Sequence, residues 1–394
     1  MTSNSSTSST LAGAPTKTSE RITNLDAIRG FAVLGILVMN AVSYGLNEAA
    51  YFNLDAAADQ TWLDWLVGGA GEIFIDQKPM GLFSMLFGAG IVLFADRTQA
   101  KGTKSPFWFS MWRNLLLLGI GVIHGLLWDG DVLRVYAVCA PILIMMRRLS
   151  TKVLLTMGAS LVLWSAVVAA LAQQQVPANG DGLGSYWLVD PTVDYSDAVG
   201  IFLINDFFAR AAGMMLIGVA VYRMGILDGK RPAAFYRRMA TIGLGVGLPI
   251  AAAGLALQVL ADFSPDIALI GEAPNTVATI PIVFGYIGLI SLWNQRREMW
   301  LHRRIRAAGR MALTNYLTQT IIGITVLRGL FDFDTLGRAQ IFGLVLAIWV
   351  LQIAWSKWWL DNFKFGPFEW AWRCATYRMI QPIRLARALS TGAS

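Results

Sequence analysis

The chain has 394 residues, 55% of them hydrophobic and only 14% charged, well below the roughly 25% charge of an ordinary soluble domain. A formal net charge of +7 would suggest nucleic acid in a soluble protein, but with a mean hydropathy of +0.52 it points to a membrane, excludes most soluble globular classes and leaves no nucleic-acid partner expected. Two cysteines, Cys139 and Cys374, and two histidines exclude a disulfide framework, a cysteine metal cage and a multi-histidine zinc or haem centre, so no metal site is expected.

Residues 1–20 are rich in Ser and Thr without a hydrophobic stretch, which predicts a disordered cytoplasmic tail rather than a signal peptide. Residues 21–379 read as a single transmembrane domain, and 380–394 as a second cytoplasmic tail. Apolar segments centred on 25–45, 79–96, 112–128, 132–146, 153–172, 205–224, 239–261, 275–293, 308–327 and 339–356 approach the ~20 residues that cross a bilayer as a helix. The predicted fold is therefore all-α, a polytopic transmembrane bundle of about 10 spans. Between the first two, Trp62 to Ile75 mixes two tryptophans, an aspartate and Gly68-Gly69, which suits an interfacial or re-entrant piece outside the bilayer core.

Most of the 32 lysines and arginines fall in alternate loops, among them Lys17, Arg21, Arg97, Lys101, Lys104, Arg113, Arg147, Arg148, Arg223, Lys230, Arg303, Arg304 and Arg387. This positive-inside asymmetry predicts that both termini are cytoplasmic. Arg29, Lys78, Arg134, Arg210, Arg328 and Arg338 are not explained by orientation and lie within spans or at their outer ends. Such charges are costly in hydrocarbon and are the first candidates for a buried site. Acids such as Glu48, Asp64, Asp190, Asp262 and Glu272 collect in the opposite loops and read as a solvated outer surface, with 173–200 long enough for a lid.

Within the first span, Asp26 and Arg29 stand at i and i+3 and are expected to pair, while Asn40 lies eleven residues, about 16 Å, further along the helix. Lys78-Pro79, followed by Ser84 and Gly88, either sets an ammonium over a cavity or marks a snorkelling lysine. His124 is followed by Asp129, Asp131 and Arg134; a buried imidazole beside a carboxylate suits a general base, or a plain interhelical hydrogen bond. His302, among arginines, reads as solvated. Thr314, Asn315, Thr318 and Gln319 form a polar stripe that faces the bundle interior, as substrate contact or as polar glue. Pro367 to Tyr377 reads as an amphipathic helix on the inner membrane surface.

The strings Leu25-Asp26-Ala27-Ile28-Arg29-Gly30-Phe31, Lys78 with Leu82-Phe83-Ser84-Met85-Leu86-Phe87-Gly88, His124-Gly125 with Gly130-Asp131-Val132-Leu133, Gly309-Arg310-Met311-Ala312-Leu313-Thr314-Asn315-Tyr316 and Gly366-Pro367-Phe368-Glu369-Trp370 resemble the YeiB family, domain of unknown function 418, from about Arg21 to Met379. The opening span is also similar to that of the wider transmembrane acyltransferase group, in which the arginine of Leu-Asp-x-x-Arg-Gly is followed eleven positions later by a catalytic histidine. Here Asn40 occupies that step, and an amide is no base near neutral pH. Lysosomal heparan glucosaminide acetyltransferases likewise carry asparagine there, with the histidine coming from elsewhere, a place His124 would fill.

No phosphate-binding loop, nucleophile elbow or dinucleotide fingerprint is present. The resemblance implies an integral membrane acyltransferase that moves an acyl group from a cytoplasmic acyl-CoA-type donor to a small-molecule, lipid or glycan acceptor, with acyl-CoA as co-substrate and no bound cofactor. The expected catalytic residues are His124, Asp131 and Asn40; Arg29, Asp26, Lys78, Arg134, Asn315 and Gln319 are expected to bind substrate. A transporter of an anionic solute in the cell membrane, using the intramembrane arginines, is the alternative.

Overall fold

A computed structural model describes residues 22–57, 60–100, 105–190 and 192–385; Lys17, Arg21, Lys101, Lys104, Arg387 and the proposed tail 1–20 lie outside the described residues, as does most of 380–394. Among the described residues there are thirteen α-helices: α1 Thr23–Gly45, α2 Trp62–Phe74, α3 Lys78–Ala100, α4 Pro106–Gly125, α5 Val132–Met146, α6 Thr151–Gln173, α7 Asp197–Arg223, α8 Ala233–Leu260, α9 Ala273–Gln295, α10 Trp300–Arg310, α11 Ala312–Gly329, α12 Arg338–Asn362 and α13 Pro367–Tyr377. Among the described residues, β pairing is limited to two isolated bridges. An apolar environment demands this, since a helix satisfies its own backbone hydrogen bonds without water.

Among the described residues, length and composition make seven stretches fit to cross a membrane: α1, α2 continued into α3, α6, α7, α8, α9 with its preceding turn, and α12. α4, α5 and α11 run between the same two ends. At one end, Asn24 Nδ2 donates to Leu227 O (3.1 Å), Arg147 Nη1 pairs with Asp96 Oδ1 (3.5 Å), Arg223 Nη1 donates to Leu149 O (2.8 Å) and Trp112 Nε1 to Ala375 O (3.1 Å). At the other, Asn53 Nδ2 donates to Trp187 O (3.1 Å), Trp187 Nε1 to Phe263 O (2.9 Å) and Asn47 Nδ2 to Asp334 Oδ2 (3.1 Å). The start of α1 and all of α13 share the basic end, as the charge asymmetry requires, and the acidic loops share the opposite end.

α1 is the axial helix, packed against α3, α9, α10, α11 and α12, and it buries side chains around most of its circumference. Two glycines allow its closest approach to α10: a Cβ at Gly30 would overlap the Ile305 carbonyl, and one at Gly309 the Asp26 carbonyl. Three boundaries depart from the sequence reading. α7 begins at Asp197, two turns earlier than the apolar run, with Ser196 Oγ accepting from Val199 N (3.4 Å) as its cap. The ninth apolar run breaks at Met311 into α10 and α11. The Trp62–Ile75 piece exposes Trp62, Leu63 and Leu66 as an interfacial helix should, yet its last turn buries Gly71 and Glu72 and it continues into α3 through the turn Ile75–Gln77, where Gln77 has φ of 63°.

His302 is a correction. It is 1% exposed, stacks on Trp293 (3.9 Å between centroids) and takes Met299 N–H at Nδ1 (3.1 Å) while Nε2 meets Trp293 O (2.8 Å). α10 is amphipathic, so a histidine flanked in sequence by the exposed Arg303 still falls on the buried face with Ile305 and Gly309.

Candidate functional site

The site begins with the α4–α5 hairpin. α4 ends at Gly125, and Asp131 caps α5 by accepting from Arg134 N at Oδ2 (3.1 Å), which places its carboxylate at the positive end of the α5 dipole. Two glycines let the hairpin close. A Cβ at Gly121 would come 2.8 Å from Asp131 Oδ2, and one at Gly130 would overlap the Trp128 ring. The turn thereby brings Asp131 Oδ1 to 2.9 Å from His124 Nδ1, with the two side chains 0% and 2% exposed.

The same carboxylate oxygen accepts a hydrogen bond from the Tyr316 hydroxyl (3.1 Å) on α11, which in turn accepts from Val132 N (3.4 Å). The Tyr316 ring lies 5.1 Å from the imidazole. Trp128 packs edge-on against Tyr44 of α1 (5.1 Å), and the Tyr44 hydroxyl lies between Thr320 Oγ1 (2.9 Å) and the Asn40 amide. The α4–α5 turn and α11 thus contact the histidine directly, and the polar groups of α1 join them through Trp128.

With Nδ1 facing a carboxylate, the proton of a neutral imidazole belongs on Nδ1, and Nε2 is left as the lone-pair nitrogen. Nε2 is buried and has no hydrogen-bond partner. A buried acceptor without a donor costs roughly 1 to 3 kcal/mol, so this atom is matched to a group that the fold does not supply. An oriented base of this kind can take a proton from a hydroxyl, amine or water.

The other expected site residues fall elsewhere. Arg134, 37% exposed, rims the pair: its Nε is 4.0 Å from Asp131 Oδ2 and its Nη2 donates to Asp129 O. Asp26 and Arg29 do pair (3.4 Å), but at the basic end of α1, eleven residues before Asn40. Asn315 spends its amide on Ala308 O (3.1 Å), Ser356 Oγ (3.0 Å) and Trp355 Nε1 (2.8 Å), and Gln319 Nε2 donates to Val33 O (2.9 Å) and Gln352 Oε1 (2.8 Å). These two bind α11 to α10, α1 and α12. Lys78 does not snorkel: it is wholly buried and donates to Glu72 O (2.8 Å) and Asn275 Oδ1, inside a second polar cluster.

Sequence reasoning missed Tyr316 and Tyr44. Neither carries a spacing signal, and Tyr316 reaches Asp131 across 185 residues of chain.

The helices and their buried polar centre define a polytopic membrane protein. A family model described as "Protein of unknown function (DUF418)" matches residues 221–379. The chain is 33% identical over 385 residues to "Uncharacterized protein YeiB" of Escherichia coli (strain K12), covering 92% of this chain and 98% of the relative. It is 30% identical over 408 residues to "Uncharacterized protein YxaH" of Bacillus subtilis (strain 168), covering 94% and 97%. The chain belongs to the YeiB family.

Proposed function

We propose that the protein is an integral membrane acyltransferase of the cell membrane, in which His124 is the general base and Asp131 fixes its tautomer. The observation that carries this reading is the His124–Asp131 pair with an unpartnered, buried Nε2. In the step proposed, Nε2 takes the proton from an acceptor hydroxyl or amine as that atom attacks the carbonyl of an acyl thioester; the C–S bond then breaks, and the thiolate leaves and receives the proton from the imidazolium. Asn40, beside the Tyr44 hydroxyl, supplies an amide donor for the developing oxyanion. The donor is of acyl-CoA type and reaches the site from the basic end; the acceptor is a lipid, a glycan or a small metabolite.

The test is transfer of label from acetyl-CoA into envelope extract by purified protein in nanodiscs, with His124→Gln as the control. Label transfer lost in that variant supports the reading, and full transfer removes His124 from the chemistry. A transporter for an anionic solute is the second reading, resting on the buried Arg338, which has no carboxylate at ion-pair distance among the described residues. Its mark would be solute uptake by proteoliposomes in the absence of any acyl transfer.

A further inference from the structure

Away from His124, the break between α2 and α3 meets the start of α9. Glu72 is on the last turn of α2, Asp76 in the break, Lys78 at the first position of α3 and Glu272 immediately before α9. All four are buried, at 7%, 6%, 0% and 6% exposure. One carboxylate oxygen from each of Glu72, Asp76 and Glu272 lies within 4.8 Å of the others.

The hydrogen bonds account for two of the three acids. Asp76 Oδ2 accepts from Asn275 Nδ2 (2.8 Å), and Glu272 accepts from Gln258 Nε2 (2.9 Å) and Gln77 Nε2 (3.4 Å). The Glu72 carboxylate, aimed at the other two, has neither a hydrogen bond nor an ion pair among the described residues, although the side chain is more than nine-tenths buried. Nor is the nearby cationic charge spent on these acids. Lys78 gives its ammonium protons to the Glu72 backbone carbonyl and to the Asn275 amide. Arg210 is paired with Asp206 (Nε to Oδ2, 2.8 Å), and Arg338 Nη2 donates to the carbonyls of Ala50, Asn53 and Leu54. When all three are ionised, three carboxylates face one ammonium, a surplus of two negative charges among residues at most 7% exposed.

A low-dielectric site does not hold that surplus bare. We propose that Glu72, Asp76 and Glu272 bind a hard divalent cation of calcium size, which closes the break between α2 and α3 onto α9. The donor set is all oxygen, the preference of calcium and magnesium rather than of zinc or copper. Ligands on opposite sides of calcium, at about 2.3 to 2.6 Å each, stand about 4.6 to 5.2 Å apart, against about 4.0 to 4.2 Å for magnesium. Oxygens within 4.8 Å of one another fit inside the calcium span, and the flexible six- to eight-fold shell of calcium tolerates an irregular set better than the near-ideal octahedron that magnesium demands. Water completes its shell, and a charge of +2 matches the surplus. The broken helix fits this role, because interrupted membrane helices are where backbone and side-chain oxygens are freed to meet ions.

Terbium is the probe, with Tyr51 as sensitiser: it is half-buried and its hydroxyl lies in the field of Asp76, Glu72 and Glu272. Full-length protein in nanodiscs, stripped with EDTA, should show terbium luminescence on tyrosine excitation that saturates at one ion per chain and is displaced by calcium. Glu72→Gln should weaken terbium binding at least tenfold, as should Glu272→Gln, which keeps the amide contact with Gln258; Asp190→Asn, at an exposed loop acid, should leave it unchanged. Size-exclusion profiles identify any variant that fails to fold, and Glu272→Gln serves if Glu72→Gln does. His124→Gln should bind terbium normally, so failure of the ion site and failure of the acyl-transfer reading are separable. No calcium-displaceable signal at millimolar ion, or unchanged binding in both folded glutamine variants, overturns the proposal. So does a wild-type protonated-carboxyl infrared band that Glu72→Gln removes without any ion uptake, which would mean that protons neutralise the cluster.

Discussion

The His124 centre and the Glu72–Asp76–Glu272 cluster are both buried polar sites between helices, but they leave different things unsatisfied. At His124 every surrounding group has its partner except one nitrogen, a deficit of one donor. At the acid cluster most atoms are bonded and the deficit is charge. The first arrangement is matched to a group that arrives and leaves with a proton, the second to an ion that stays. A buried polar site can thus be read from what is missing as well as from what is present.

Substitutions should separate the two sites, and the largest effect is expected at the histidine. His124→Gln should leave a folded, inserted protein whose acyl transfer falls by at least ~100-fold, within the range for loss of a general base. If transfer survives, the contrast collapses to two structural clusters. Next comes the ion: calcium at about 100 times its dissociation constant should stabilise the wild type by about 2.7 kcal/mol and raise its melting temperature, with no rise in Glu72→Gln. A rise of equal size in both proteins would place calcium elsewhere.

Tyr316→Phe removes one of the two side-chain donors to Asp131 Oδ1 but leaves the imidazole bond, so a drop in transfer of roughly fivefold is expected, in keeping with one hydrogen bond of about 1 kcal/mol. A loss as large as that of His124→Gln would move Tyr316 from positioning to contact with the reacting atoms. Arg29→Ala should cost about 1 kcal/mol more stability than Arg304→Ala, a modest figure because the Arg29 side chain is 31% exposed and its pair with Asp26 is partly screened. Equal melting temperatures would make Arg29 an anchor only. Without measurable change in stability, a cysteine at 190 should react with an impermeant thiol reagent in intact cells, whereas cysteines at 230 and 303 should not. The reverse pattern would put the acid cluster at the cytoplasmic face.

The His124–Asp131 pair was legible in the sequence because seven residues and a glycine turn separate its members, so one hairpin makes the contact. The helical bundle was legible too, since hydrocarbon selects strongly for long apolar helices, although seven of the described stretches, not ten, are long and apolar enough to cross. The acid cluster was not. Glu272 sits at the edge of an apolar run and reads as one more acid of an outer loop, and counting histidines and cysteines for a metal site takes no account of carboxylates. Its partners, Glu72 and Asp76, lie about 200 positions earlier, in and just beyond a segment whose tryptophans and glycines suit the membrane surface. A period-based reading places residues on helix faces but does not bring distant helix ends together. His302 failed for a related reason: its arginine neighbours fixed the environment of the sequence, while the helical period fixed the environment of the side chain.

The tight seam between α1 and α10, set by Gly30 and Gly309, has a consequence for synthesis. α1 leaves the ribosome first, yet the surface it fits is made nearly 280 residues later, a delay of roughly 15 to 55 s at about 5 to 20 residues per second. During that interval Asp26 is without the α10 packing that covers it in the finished bundle. A product truncated before α10 keeps α1 permanently in that state, with Asp26 facing lipid or a surveillance protease. Nascent chains of this protein should therefore be most vulnerable to degradation until the last third of the sequence has entered the membrane.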